Sequence, residues 1–207
     1  MEFKEIKRLI NLCRYEDELY IAGYEKVAGV DEVGRGSLAG PLVAAAVILD
    51  KKKMIIEDIN DSKRLSEDKR KHIFKKVIKS CLCWSVVKIP PDEIDRISIT
   101  KANAIAFQRA VSSLRIKPDI ILSDFISTDL GIGYLPLVNG DRLSVSVAAA
   151  SIIAKVIRDG IMIKLSRYYP EYGFEHNKGY GTRKHLKSLQ KYGPTLIHRA
   201  SFRGVLS

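Results

Sequence analysis

The 207-residue chain, 46% hydrophobic and 29% charged, has an ordinary globular composition and suits one domain, with at most a small subdomain, that buries roughly 70% of its unfolded surface. Its 35 Lys and Arg against 24 Asp and Glu leave a net charge of +11, the electrostatic footprint of a polyanion binder. A spanning helix is excluded because the longest apolar stretch, near 145–154, is too short. MEFKEIKRLI has charges throughout and no apolar core of the signal-peptide kind, and no basic amphipathic helix stands apart to serve a membrane surface. Cys13, Cys81 and Cys83 are odd in number, and Cys81-x-Cys83 has no second pair to complete a zinc site, so they read as reduced core thiols. The four histidines lack zinc-type spacing. The cytoplasm is the expected compartment.

In chain order, residues 1–26 mix Lys, Glu and Arg with Ile6, Leu9, Ile10, Leu12 and Cys13, an amphipathic helix for the domain edge that carries no recognisable chemistry. Val27–Val30 is a strand, and Leu42–Leu49 is an apolar run with the length of a buried strand, the two pairing as a hairpin around a Gly-rich turn. Lys51–Asn60 is a charged connection. Ser66 caps a helix with Glu67 and Asp68 in its first turn. Cys81–Ile89 is a third strand, ended by Pro90-Pro91. A helix follows from Asp92, burying Ala102, Ile105, Ala106 and Ala110. Pro118–Asp124 is a strand with an acid at its end, and Leu135–Val138 a shorter strand-like run. Val145 to about Tyr168 is a long helix, 173–182 a loop, and Thr182–Tyr192 a basic helix stopped at Gly193-Pro194. Interleaved helices and strands, with acids at strand ends, define an α/β domain with a mixed sheet flanked by helices.

The chemistry gathers in VAGVDEVGRGSLAGPL, Val27–Leu42. Successive side chains of a strand alternate, so Asp31 and Glu32 are aimed to opposite faces. The glycines match the dinucleotide fingerprint only loosely, since Gly40-Pro41 cuts off the required helix and two carboxylates would face the pyrophosphate. Two readings remain for the acids: a polar strand end before a turn, or hard oxygen ligands for a divalent metal, with glycines that let backbone approach a bulky substrate.

DEVGRGSLAGPL resembles the first signature of the type 2 ribonucleases H, specifically bacterial ribonuclease HII. NDSKRL (60–65), ILSDF (121–125), VNGDR with AAASIIAKVIRD (138–159) and HNKGYGT (176–182) match the same family in order, and GPTLIHRASF (193–202) is similar to its end. The resemblance runs from about Val27 to Phe202. It implies the ribonuclease H-like fold, a central mixed sheet of about five strands flanked by helices with a helical C-terminal part. The implied division is an N-terminal helical extension over 1–26, a catalytic core over 27–168, and a C-terminal loop and helix over 169–207 that complete the substrate site.

The resemblance also implies that Asp31, Glu32, Asp124 and Asp141 are the catalytic acids and hold two ions, Mg²⁺ or Mn²⁺, with Asp31 touching both. Gly34, Arg35 and Gly36 would contact the 2′-OH and its phosphate, and Tyr180 would pack on the sugar of the adjoining deoxynucleotide. Lys63, Ser151, Lys155 and Lys178 are phosphate-contact candidates. Asp159, beside Arg158 in mid-helix, reads as half of a structural ion pair. Three features depart from the usual family text: Phe125 after Asp124, Asn139 before Gly140-Asp141, and a rewritten region after Asp124. The implied function is a metal-dependent endonuclease that cuts 5′ of a ribonucleotide in RNA/DNA hybrids and in DNA duplexes holding single ribonucleotides, leaving 3′-OH and 5′-phosphate ends, in a monomer. A non-catalytic basic nucleic-acid-binding module, or another ribonuclease H-like nuclease, is the alternative.

Overall fold

The run Leu42–Leu49 is buried at all eight positions, which requires layers packed on both faces of its sheet. A computed structural model describes residues 1–62, 64–124 and 132–206. Helices α1 (Phe3–Leu12) and α2 (Arg14–Ile21) precede strands β1 (Val27–Val33) and β2 (Leu42–Leu49); α3 (Glu67–Ser80), β3 (Cys81–Ile89), α4 (Pro91–Ile97) and α5 (Ile99–Ser112) follow. The second half holds β4 (Ile120–Asp124), β5 (Gly133–Leu137), α6 (Gly140–Leu143), α7 (Val145–Leu165), α8 (Phe174–Asn177) and α9 (Arg183–Tyr192). The sheet runs β3-β2-β1-β4-β5. Its β1–β2 and β2–β3 pairs are antiparallel, and its β1–β4 and β4–β5 pairs are parallel. This is the mixed five-stranded sheet of a ribonuclease H-like fold.

The even positions of β2 and β1 (Leu42, Ala44, Ala46, Ile48, Ala28, Val30) pack with Ala102, Ala106, Phe107 and Ala110 of α5. The odd positions Val33, Val43, Ala45, Val47 and Leu49 pack with Ile73 and Val77 of α3 and with Val145, Ala148, Ala149, Ile152 and Ile153 of α7. A third cluster joins Leu38, Ala39 and Met162 to Tyr172, Phe174 and Leu189, so the C-terminal segment is packed against the loop that follows β1.

Gly29 sets where α7 lies. A Cβ there would stand 2.1 Å from the Ser146 carbonyl carbon, so only glycine lets the helix backbone rest on β1. From Ser146 to Ser151 the helix climbs about 7.5 Å, and from Gly29 to Asp31 the strand advances about 6.6 Å. Ser151 is thereby brought over Asp31.

Two helices were expected to be single and are not. The N-terminal one is parted at Cys13, and the one from Asp92 is parted at Ser98, whose φ of 77° leaves the helical ladder. β1 also runs three residues further than Val27–Val30, so both acids lie inside the strand.

Candidate active site

Three elements deliver the four acids. Asp31 and Glu32 stand opposite Ala45 and Ala44 of β2. On the other side of β1, Val30 pairs with Ser123, and continuing that register sets Asp124 level with Asp31. Asp141 comes from α6, whose start is bent back onto β4: Asn139 and Gly140 donate their N–H groups to Asp124 Oδ1 at 3.1 and 3.4 Å. Asn139 takes the left-handed conformation at φ 60°, which asparagine tolerates better than most residues. The buried Asp61 accepts from Arg142 at 2.9 Å, fixing the residue next to Asp141.

Asp31 is 7% exposed. Burial, then the charge of Glu32, then that of Asp141 push its carboxyl well above the usual range, against a hydrogen bond donated by Ser151. Ser151 Oγ lies 2.9 Å from Ser62 Oγ. Since Ser151 spends its proton on Asp31, Ser62 must donate to Ser151, and a one-way chain Ser62→Ser151→Asp31 results. Arg70 encloses Ser62 by donating to its carbonyl at 2.8 Å and to that of Leu65 at 2.7 Å.

Among the described residues no three acid, His or Cys side chains already converge as a closed metal cage. The arrangement is an open group of hard oxygens whose mutual repulsion is concentrated on a buried carboxylate. A divalent cation relieves that repulsion. Mg²⁺ in particular is bound by one or two carboxylates and keeps positions for water and phosphate, so the donor set fits such an ion without a closed cage.

Glu32, Gly34, Arg35, Gly36, Ser62, Arg70, Lys155 and Tyr180 line a single cavity of about 550 Å³. Gly34 has φ +96°, and a Cβ on it would meet Arg158 Nε at 2.1 Å, so the fold itself demands glycine there. Gly36 is different: its φ is ordinary and nothing lies within 4 Å of the Cβ it lacks. Tyr180 faces the cavity with Lys155 Nζ 5.8 Å and Arg158 Cζ 5.4 Å from its ring centre.

The remaining candidates are placed as follows. Lys155 lines the cavity and pairs with Asp159 at 2.8 Å. Ser151 is buried on Asp31 rather than turned outward. Lys178 is 9% exposed, and its ammonium is turned onto the Glu175 carbonyl and toward Glu67, away from the cavity lining. Lys63 and Phe125 lie outside the described residues. The expected Asp159–Arg158 pair is corrected. Asp159 pairs with Lys155 and, at 3.3 Å, with Arg70, because helix neighbours one residue apart do not face each other.

Periodicity gave no sign of several residues that hold the site. The N-terminal helices contribute a buried acid to the support of the site. Glu16 of α2 is fully buried, and its Oε1 accepts from Ser144 Oγ at 2.5 Å and from the Ser146 N–H at 2.8 Å, at the start of α7. Burial pushes its carboxyl above the ordinary range, and the hydrogen bonds from Ser144 and the Ser146 N–H oppose that. Its partners are 128 and 130 residues away in sequence, a separation no local pattern records.

His185 and His198 are similarly hidden. Thr195 donates its N–H to His198 Nδ1 at 2.9 Å, so the proton of His198 sits on Nε2 and is given to His185 Nε2 at 3.1 Å. The proton of His185 is then on Nδ1 and goes to the Tyr180 carbonyl at 3.0 Å. Both rings are neutral, and each anchors the segment that carries Tyr180. Burial, then the neighbouring His185, push His198 down to about 4. The unfolded chain takes up this proton near the ordinary value of about 6.5, so the contribution is fully present above that value and is lost as pH falls through about 4. It amounts to about 3 kcal/mol. The drop in unfolding free energy between pH 7 and pH 4 should shrink by about that amount in His198→Asn. An unchanged drop on chemical denaturation would show that the pair is not held neutral.

A mixed sheet with carboxylates gathered where β1 and β4 lie side by side, beside a cavity with a glycine-lined backbone, defines a nuclease of the ribonuclease H-like class. The family model described as ribonuclease HII matches residues 28–205. The ribonuclease HII of Lactobacillus gasseri is 48% identical, covering 97% of this chain and 82% of its own. That of Caldicellulosiruptor bescii is 46% identical, with 93% of each chain covered. Among solved structures, the ribonuclease H2 from Pyrococcus horikoshii OT3 superimposes with a TM-score of 0.78 at 33% identity, over 87% of this chain and 95% of that one. The chain belongs to the ribonuclease HII family, divalent-metal-dependent endoribonucleases that act on RNA in hybrids. Among the described residues no helix is long and apolar enough to cross a membrane.

Proposed function

We propose that this protein cuts the phosphodiester bond on the 5′ side of a ribonucleotide, both in RNA/DNA hybrids and at single ribonucleotides embedded in duplex DNA, leaving 3′-OH and 5′-phosphate ends. The observation that carries this reading is the shared cavity, in which Glu32, the Gly34-Arg35-Gly36 backbone and Tyr180 face one space. Asp31, Glu32, Asp124 and Asp141 are the ligands we assign to two Mg²⁺ or Mn²⁺ ions. Bound there, such ions would supply activation of the attacking water and neutralisation of charge on the leaving oxygen.

The chain's own side chains prepare that event. The Ser62→Ser151→Asp31 chain fixes the orientation of one carboxylate oxygen. The Gly34-Arg35-Gly36 backbone receives the ribonucleotide, whose 2′-OH is the group that distinguishes it from DNA. Tyr180 packs on the next sugar, where an added hydroxyl would clash. Lys155 lines the cavity, and we assign it, with Lys63, the phosphate contacts that position the strand. Residues 27–168 carry the acids, 169–207 supply Tyr180, and 1–26 hold the start of α7 through Glu16. The setting we assign is a cytoplasmic monomer whose +11 charge draws it to duplexes.

Gly36 offers a test that separates substrate seating from folding. Nothing in the protein fills the space beside it, so Gly36→Ala should melt within a degree or two of the parent while KM for a hybrid rises about tenfold, or about 1.4 kcal/mol. An unchanged KM would show that the substrate does not approach this loop.

A further inference from the structure

Arg158 and Arg199 are both fully buried, and among the described residues neither forms an ion pair. Each spends its guanidinium on backbone carbonyls instead. Arg158 donates from Nε to Pro41 at 2.9 Å, from Nη2 to Ala39 at 3.1 Å and from Nη1 to Lys178 at 2.9 Å. Arg199 donates from Nε and Nη2 to Gly40 at 3.1 and 2.9 Å, and from Nη1 to Arg35 at 3.0 Å. Every acceptor lies in one of two segments, 35–41 after β1 or the turn before Tyr180.

A buried charge with no direct ion-pair partner is an expensive way to close a loop, and the fold has cheaper ties in place. Leu38 and Ala39 already donate to the Gly179 carbonyl at 2.8 and 3.2 Å, and the Arg199 N–H donates to Leu38 at 2.8 Å. What the two guanidiniums add is a flat, rigid fork with several donors in fixed directions. Arg158 holds both segments at once, fills the space that Gly34 leaves, and lies 5.4 Å from the Tyr180 ring centre.

We propose that Arg158 and Arg199 are positioning residues for junction selectivity: together they set the distance between the Gly34-Arg35-Gly36 seat and the Tyr180 ring. This rests on the reading given under Proposed function. A substrate with one ribonucleotide followed by a deoxynucleotide must meet both features at one spacing, whereas a continuous hybrid offers many registers. Misplacement by about 1 Å can cost on the order of a hundredfold in rate, so the single-ribonucleotide substrate is the sensitive one.

The test uses the full chain and the variants Arg158→Lys, Arg199→Lys, Tyr180→Ala and Arg158→Lys with Tyr180→Ala. For each, kcat/KM is measured with Mg²⁺ on a DNA duplex holding one ribonucleotide and on a continuous RNA/DNA hybrid, alongside thermal melting. Lysine keeps the charge but cannot hold three carbonyls in one plane. The ratio of the two kcat/KM values should fall about tenfold in each lysine variant, whatever loss is common to both substrates. The double variant should have the ratio of Tyr180→Ala alone, because the guanidinium acts through the ring. If Arg158→Lys is unfolded at the assay temperature, Arg199→Lys carries the same comparison, since its contacts are on the seat side. Equal losses on both substrates, or a ratio that falls multiplicatively in the double variant, would overturn the proposal and leave a purely structural role. Failure of the underlying reading looks different: the ratio would then be insensitive to Tyr180→Ala itself.

Discussion

Asp31→Asn is expected to lower cleavage by several orders of magnitude and, without added metal, to raise the melting temperature. Both effects have one origin. Asp31 is buried beside Glu32 and Asp141, and burial first, then those two charges, disfavour its ionised form. Asn keeps the side chain's size and an oxygen to accept from Ser151 while removing the group whose ionisation the buried site opposes. That same charge is what a divalent cation needs, and in the proposed site Asp31 would be shared by two ions, so its loss would remove the positioning of both. A stability gain together with lost activity is the signature of a site held under strain for function. Near-parental turnover at saturating Mg²⁺ would contradict the assignment of Asp31, and a lower melting temperature would contradict the electrostatic reason for it.

Tyr180→Ala is the second large effect expected. On a duplex with one embedded ribonucleotide, loss of the ring should cost roughly 1–3 kcal/mol, by analogy with base stacking on aromatic side chains, which is about 5- to 150-fold in kcat/KM. On a continuous hybrid the loss should be smaller, because other registers of the RNA strand do not depend on a junction. The ring is held from behind: its carbonyl accepts from His185, and the Arg158 guanidinium and Lys155 ammonium lie over it. Removing it leaves that backing in place, so folding should survive. Equal losses on the two substrates would remove Tyr180 from junction reading.

What sequence patterns could reveal followed from locality. The strand Cys81–Ile89 and the cap at Ser66 were legible because a strand's composition and a cap's hydrogen bond are local events. The carboxylates at strand ends were visible one at a time, but only the ordered resemblance grouped Asp31, Glu32, Asp124 and Asp141, since their meeting depends on the parallel pairing of β1 with β4. The supports were not legible. Glu16 under Ser144, Arg158 across to Lys178, and Arg199 across to Arg35 each join residues 20 to 164 positions apart. Asp159 was misassigned for a related reason: adjacency in sequence suggested Arg158, while helix geometry turned it to Lys155 four residues back.

Mapping the products of a DNA duplex with one internal ribonucleotide, labelled at each end in turn and incubated with Mg²⁺, tests the central claim most directly. One nick on the 5′ side of the ribonucleotide is expected, with a 3′-OH on the upstream piece, a 5′-phosphate on the ribonucleotide-bearing piece, and no product when Mg²⁺ is withheld. Cleavage of long hybrids with no nick in this duplex, or a nick on the 3′ side of the ribonucleotide, would contradict it.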